Sequence, residues 1–383
     1  MTKLFLEDLV LEGADIGPSN PLPPLATRPD LHEIEIDPKA PQEMKAHIGY
    51  GNRTSPLPYT LQDGYSRTKR TMAMKTAVLE NEHLKATFAL EYGGRLWSLF
   101  DKKRNRDLVD RNPVFQPANL AIRNAWFSGG VEWNIGLRGH SPFTCSSLFA
   151  ARVENEGAPI LRLYEFERMR QVPFQIDFIL PDDSELLYVY VKITNPHEEE
   201  VPMYWWSNIA FPEHEKTRVI VPAEEAFRFG YGKKGLTLKP IPEIEGIDVT
   251  YSRNLGHSAD FFFNTAPEQR KWISAFDQNG KGLFQTSTDR LIGRKLFVWG
   301  SGPGGNAWQE FLAAPGEAYI EIQAGLARTQ MEHIPMPGGE TWDWLEAYGG
   351  IDTETEVVHG DNWKAAYTIV DEAIESVLPR LEM

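Results

Sequence analysis

From about Thr71 to Gly350 the chain is a series of short runs of alternating apolar and polar residues, cut by Gly, Pro, Asn and Asp. No other feature constrains the fold so strongly, because period-two alternation is what a strand with one buried face requires. TAVLENEHLKATFAL (76–90) reads as two strands around Asn81–Glu82, and GGRLWSLFDKKRNRDLVD (93–110) as a strand, a charged turn and a return. PFQIDFILPDDSELLYVYVKITNP (173–196) turns at Pro181–Asp183, and WISAFDQNGKGLFQTST (272–288) carries an Asn-Gly pair, the strongest short hairpin signal. So many strands without intervening helices exclude a βαβ fold and predict a mainly β protein, a large antiparallel β-sandwich. Such a sheet buries one face of every strand and leaves a concave face free to bind.

The flanks differ. Residues 1–70 are expected to form an arm packed on the main domain, since GPSNPLPPLATRP (17–29) is too rich in proline for a helix or a central strand. Residues 71–350 form the expected sandwich and 351–383 a C-terminal helix. In DNWKAAYTIVDEAIESVLPRL, Trp363, Ala366, Tyr367, Val370, Ala373, Ile374 and Val377 recur at helical spacing, with Asp361 placed to cap the start and Pro379 to stop the end.

Hydrophobic residues at 42% are enough for a sizeable core, and the formal charge of −15 argues against nucleic acid and anionic membrane surfaces. A neutral sugar, mono- or oligosaccharide, is the ligand such a surface accommodates most easily. The single cysteine, Cys145, excludes an intrachain disulfide. The N-terminus lacks the pattern of a signal peptide, and no run approaches ~20 apolar residues, so a cytoplasmic protein is expected. Association of the chain with itself is left open.

Eleven tryptophans in a chain of this kind can fill a core or offer flat faces to sugar rings. Two stretches set polar groups among them. RNAWFSGGVEWNIGLRGHSPFT (123–144) places Arg123, Glu132, Asn134 and His140 beside Trp126 and Trp133, and Gly129–Gly130 marks a bend or a close backbone approach. WWSNIAFPEHE (205–215) places Asn208 and His214 beside Trp206. A third, AWQEFLAAPGEAYIEIQAG (307–325), reads as a hairpin about Pro315–Gly316. A symmetric register would set Glu310 opposite Glu321 and Trp308 opposite Gln323. Two opposed carboxylates need a cation, a shared proton or a ligand between them, and sugar-processing enzymes use such a pair. An offset register would separate them.

Gly300, Gly302 and Gly305 match G-x-G-x-x-G. A dinucleotide site, however, needs that loop to open a helix in a βαβ unit, and the residues after it read as a strand. No H-E-x-x-H, cysteine cluster or EF-hand spacing is present, and neither a metal nor a cofactor is expected.

SNPLPPL, ANLAIRNAWFSGGVEWNIG and YIEIQAGLARTQMEHIPMPGGETWDWLEAYG resemble the DUF5107 family, whose members resemble galactose mutarotase-type supersandwiches and are often followed by tetratricopeptide repeats. Here one helix follows, so no repeat-borne partner role is expected. The resemblance implies that GGRLWSLFD corresponds to the early Gly-Gly-Arg strand of aldose epimerases. YIEIQAG would then carry the general base at Glu321. Where the epimerases carry their acid histidine, this chain has Trp206, Ser207 and Asn208, with His214 displaced downstream. The reading is a carbohydrate-binding enzyme acting at the anomeric centre. It is glycoside hydrolase-like if Glu321 pairs with Glu310 or Glu132, an aldose 1-epimerase if His140 or a carboxyl replaces the missing acid, and a binding module if no pair forms. Arg123, Asn134, Asn208, His214 and Gln323 would bind hydroxyls, with Trp126, Trp133, Trp206 and Trp308 as stacking surfaces.

Overall fold

A computed structural model describes residues 1–24, 34–155, 157–231 and 233–383; residues 25–29 of the proline-rich stretch fall outside them. Strands make up 46% of the described residues and helices 11%. Among the described residues, fourteen strands form one sheet and eight another, antiparallel except for two short parallel contacts in the larger. The middle of the large sheet runs in the order Glu225–Gly230, Ala259–Phe263, Gly293–Val298, Tyr319–Gly325, Trp205–Pro212, Val131–Ile135, Arg95–Asp101. The smaller sheet is centred on Val172–Ile179, Leu186–Thr194, Thr341–Asp352 and Lys281–Ser287. The Asn279–Gly280 turn joins Lys271–Phe276 to Lys281–Ser287, with Gly280 at the positive φ such a turn requires.

One face of each sheet fills the space between them. Val131, Trp133, Ile135, Ile209, Phe211 and Ile322 from the large sheet meet Phe174, Ile176, Val189 and Trp344 from the small one. The opposite face of the large sheet is covered only at its margins. On one side Ala40 and Met44, at the helix Gln42–His47, pack on Trp206, Phe227 and Phe262. On another, Ala118, Ala121 and Trp126 join Trp299, Tyr319 and Leu312. Uncovered sheet between these margins is the floor of a cleft.

The flanks adjust the expected division. Within the expected arm, Lys3–Ala14 is a full strand, paired residue for residue with Lys69–Glu80. The terminal periodic stretch is the helix Trp363–Val377, burying Trp363, Ala366, Val370 and Ile374. Its cap is Asn362, whose side chain accepts from the Ala365 N–H at 3.1 Å, and not Asp361.

The largest correction falls on 303–312. This run is a helix, not the first arm of a hairpin. Gly302 occupies the cap position and Pro303 the first turn, where a missing N–H goes unused. The glycine loop therefore does open a helix. The strands on either side of it, Gly293–Val298 and Tyr319–Gly325, are antiparallel neighbours, so the βαβ unit of a dinucleotide site is absent there.

Candidate functional site

Alternation along four adjacent strands places a row of polar side chains on the cleft floor. Glu132 lies opposite Asn208, Asn208 opposite Gln323, and Gln323 opposite Lys295. One step along the strands, Glu321 pairs with Phe297 and Phe297 with Asp260. All of these except Glu132 line a cleft of about 900 Å³, together with Asn134, Arg138, His140, Tyr231, Trp299, Trp308 and Gln330.

Glu321 stands in the floor with both neighbouring amides turned to it. Asn208 Nδ2 and Gln323 Nε2 each donate to its Oε2 at 3.0 Å. Burial pushes its carboxyl above the ordinary value, and the charge of Glu132 adds to that. His140, Lys295 and the Asn208 bond oppose the rise without cancelling it. Gln330 in turn donates to Gln323 and accepts from Lys295, and Lys295 pairs with Asp260 at 2.9 Å. Tyr231 donates to the other oxygen of Asp260 at 3.1 Å.

Glu132 lies deeper. Its Oε2 accepts from Trp126 Nε1 at 3.0 Å and meets His140 Nδ1 at 2.8 Å, while Arg95 Nη2 approaches Oε1 at 3.7 Å. Burial alone would raise this carboxyl, but the charges of His140 and Arg95 and the bonds from His140 and Thr144 outweigh it and hold it at about 2. An ionised Glu132 can only accept, so it fixes the proton of His140 on Nδ1 and leaves Nε2 for the cleft. The Gly129–Gly130 bend allows this strand to enter the sheet. Both glycines have positive φ, and a Cβ on Gly130 would lie 2.2 Å from the Leu96 carbonyl oxygen. Asn134 holds the far end of the loop by accepting from the Ser141 N–H at 2.7 Å.

Several expected site residues lie elsewhere. Glu310 is exposed on the helix Pro303–Leu312, does not line the cleft and does not face Glu321. Trp133 points into the inter-sheet core against Phe178 and Trp205, because a strand that turns Glu132 and Asn134 outward must turn Trp133 inward. Trp206 faces the right way but is fully buried, its indole lying over Gly325 and Gly293, where any Cβ would collide with it. Trp126 is buried and serves Glu132 instead of offering a face. Arg123 clamps loops through the carbonyls of Thr60 and Pro142, and His214 is exposed outside the cleft. Asn134, His140, Asn208, Glu321, Gln323 and Trp308 do converge on it.

The expected set omitted Lys295, Asp260, Tyr231 and Trp299. A lone aspartate in the apolar strand ADFFF and an Arg-Lys pair in GRKLFV were the available signal for Asp260 and Lys295.

A family model described as a domain of unknown function (DUF5107) matches residues 52–337. The chain belongs to the DUF5107 family. Among solved structures, a TPR-domain containing protein from Parabacteroides distasonis superposes with a TM-score of 0.74 at 20% identity, over 92% of this DUF5107 chain and 56% of that one. The chain thus spans little more than half the length of that protein. A galactose mutarotase-like protein from Clostridium acetobutylicum matches with a TM-score of 0.51 at 10% identity, over 73% of this chain and 96% of that one. A galactose mutarotase-like protein from Lactobacillus casei matches at 0.50 and 13%, over 72% and 100%. The fold is that of the galactose mutarotase-like sandwiches. Among the described residues no helix is long and apolar enough to cross a membrane.

Proposed function

We propose that this protein binds an aldose in the cleft and interconverts its anomers, with Glu321 as general base and His140 as general acid. One observation carries the reading. Glu321 and His140 both open on the cleft, and each is oriented from behind by fixed partners. The fold shared with galactose mutarotase-like proteins supports the sugar ligand.

In the forward step the Glu321 carboxylate takes the proton of the anomeric hydroxyl. The C1–O1 bond becomes a carbonyl, the C1–O5 bond breaks, and O5 takes the proton from His140 Nε2. Rotation about C1–C2 presents the other face of the aldehyde. The reverse step restores both protons, so nothing is consumed. Ionised Glu132 stabilises positive charge on the imidazole, and a carboxyl raised above its ordinary value suits the proton that Glu321 must accept and return. Asn208, standing where the family resemblance expects an acid histidine, orients the base instead.

The paired-carboxylate alternative is less supported. Glu310 lies outside the cleft, and Glu132 is held ionised behind His140, which disqualifies it as an acid.

The test is polarimetry or NMR exchange on freshly dissolved α-anomers of a panel of aldoses. Acceleration over buffer is expected for at least one. Glu321→Gln should reduce it by about 10²–10⁴-fold while sugar affinity changes by less than about tenfold. Binding without acceleration would make the protein a binding module, and no acceleration with any aldose would overturn the assignment.

A further inference from the structure

Glu321 has a polar group on one side of it along its strand and an aromatic group on the other. Two residues away in one direction along its strand is Gln323, level with Lys295 and bonded to Gln330. Two residues in the other direction is Tyr319, whose ring meets that of Trp299 at 6.3 Å. A strand rises about 3.4 Å per residue, so the polar group and the aromatic group lie about 7 Å to either side of Glu321, about 14 Å apart. A single pyranose does not reach from one to the other.

The aromatic half has the form of a stacking surface. Trp308 stacks on the buried Trp299, with ring centroids 5.7 Å apart and planes 25° apart, so that Trp299 backs the exposed part of the Trp308 ring, and both line the cleft. Trp308 projects from the helix Pro303–Leu312 and keeps 37% of its surface exposed, although a large apolar ring at that position gains nothing for folding by staying there. Phe297 continues the apolar surface back to the row of Glu321, packing edge-on to Trp299 at 5.0 Å. Flat aromatic surface next to hydrogen-bonding groups is the chemistry that holds the apolar face of a sugar ring.

We infer that the Trp299–Trp308 shelf is a second sugar subsite, and that the substrate is a disaccharide or longer oligosaccharide instead of a free monosaccharide. This rests on the cleft being a sugar site, but not on which reaction occurs there.

The test is calorimetric titration of the purified protein with glucose, galactose, maltose, cellobiose and lactose. The expected result is that at least one disaccharide binds about tenfold tighter than its component monosaccharides, and that Trp308→Ala brings this ratio to about one. Trp308→Phe, which keeps a flat ring, should restore most of it. Thermal unfolding of the variants separates loss of the subsite from loss of the fold: Trp308→Ala, which removes a ring packed on Trp299 and Phe311, should lower the melting temperature modestly but still fold, and Trp308→Phe should lower it less. Equal affinity for mono- and disaccharides, or a ratio indifferent to Trp308, overturns the second subsite and leaves the proposed function standing. Failure of every sugar to bind overturns both.

Discussion

Glu132 and Glu321 are both buried carboxylates on the same face of the same sheet, on strands separated only by Trp205–Pro212, yet their surroundings drive them in opposite directions. Glu132 is met by a guanidinium, an imidazole and an indole N–H, and stays ionised far into acid. Glu321 is met by two neutral amides, and its proton is held more tightly than in water. Burial is common to both. The difference comes from whether the groups that replace water carry charge. Two titratable groups pushed apart in this way fit the anchor and the proton carrier of the proposed function.

The comparison can be broken most forcefully at the anchor. Glu132→Gln leaves Arg95 buried without its counter-charge and should cost about 3–5 kcal/mol in urea unfolding; a loss below about 1 kcal/mol would mean that the ion set is not what fixes this strand. Next in size is the pH dependence. A carboxyl held at about 2 in the folded chain, against an ordinary value of 4.5, contributes stability that is present above the ordinary value. That contribution disappears as pH falls towards 2, and amounts to on the order of 3 kcal/mol. Glu321, being raised, works in the other sense: its contribution is present below the ordinary carboxylate value and is lost as pH rises through the raised one. Unfolding curves across this range should therefore lose their acid-side slope in Glu132→Gln and gain stability at neutral pH in Glu321→Gln. The smallest effect sharpens the contrast. At neutral pH Glu321→Gln should change stability by less than about 1 kcal/mol, in the favourable direction, since it replaces a disfavoured charge with a neutral group of the same shape. A large destabilisation would make Glu321 a second anchor.

Much of this was legible in the sequence. Alternation exposed the strands, and the polar positions Asn134, Asn208, Glu321 and Gln323 line the cleft, with Glu132 on the same sheet face behind His140. The same alternation already forbids Trp133 from sharing a face with Glu132 and Asn134, so that error lay in weighing residue type above period. Glu310 failed for another reason. Pro303 after Gly302 is a helix start as well as a loop, and local sequence did not separate a helix followed by a strand from a hairpin. Lys295 and Asp260 needed the register between strands distant in sequence, which is a property of the folded sheet.

The indole of Trp206, lying across bare backbone at Gly325 and Gly293 under the helix Gln42–His47, closes the sheet face at one end. At the opposite end Trp308 lines the cleft with part of its ring exposed. A ligand held at Glu321 would therefore have ring surface to extend along toward Trp308, and would meet in the other direction a sheet face already sealed by a buried indole.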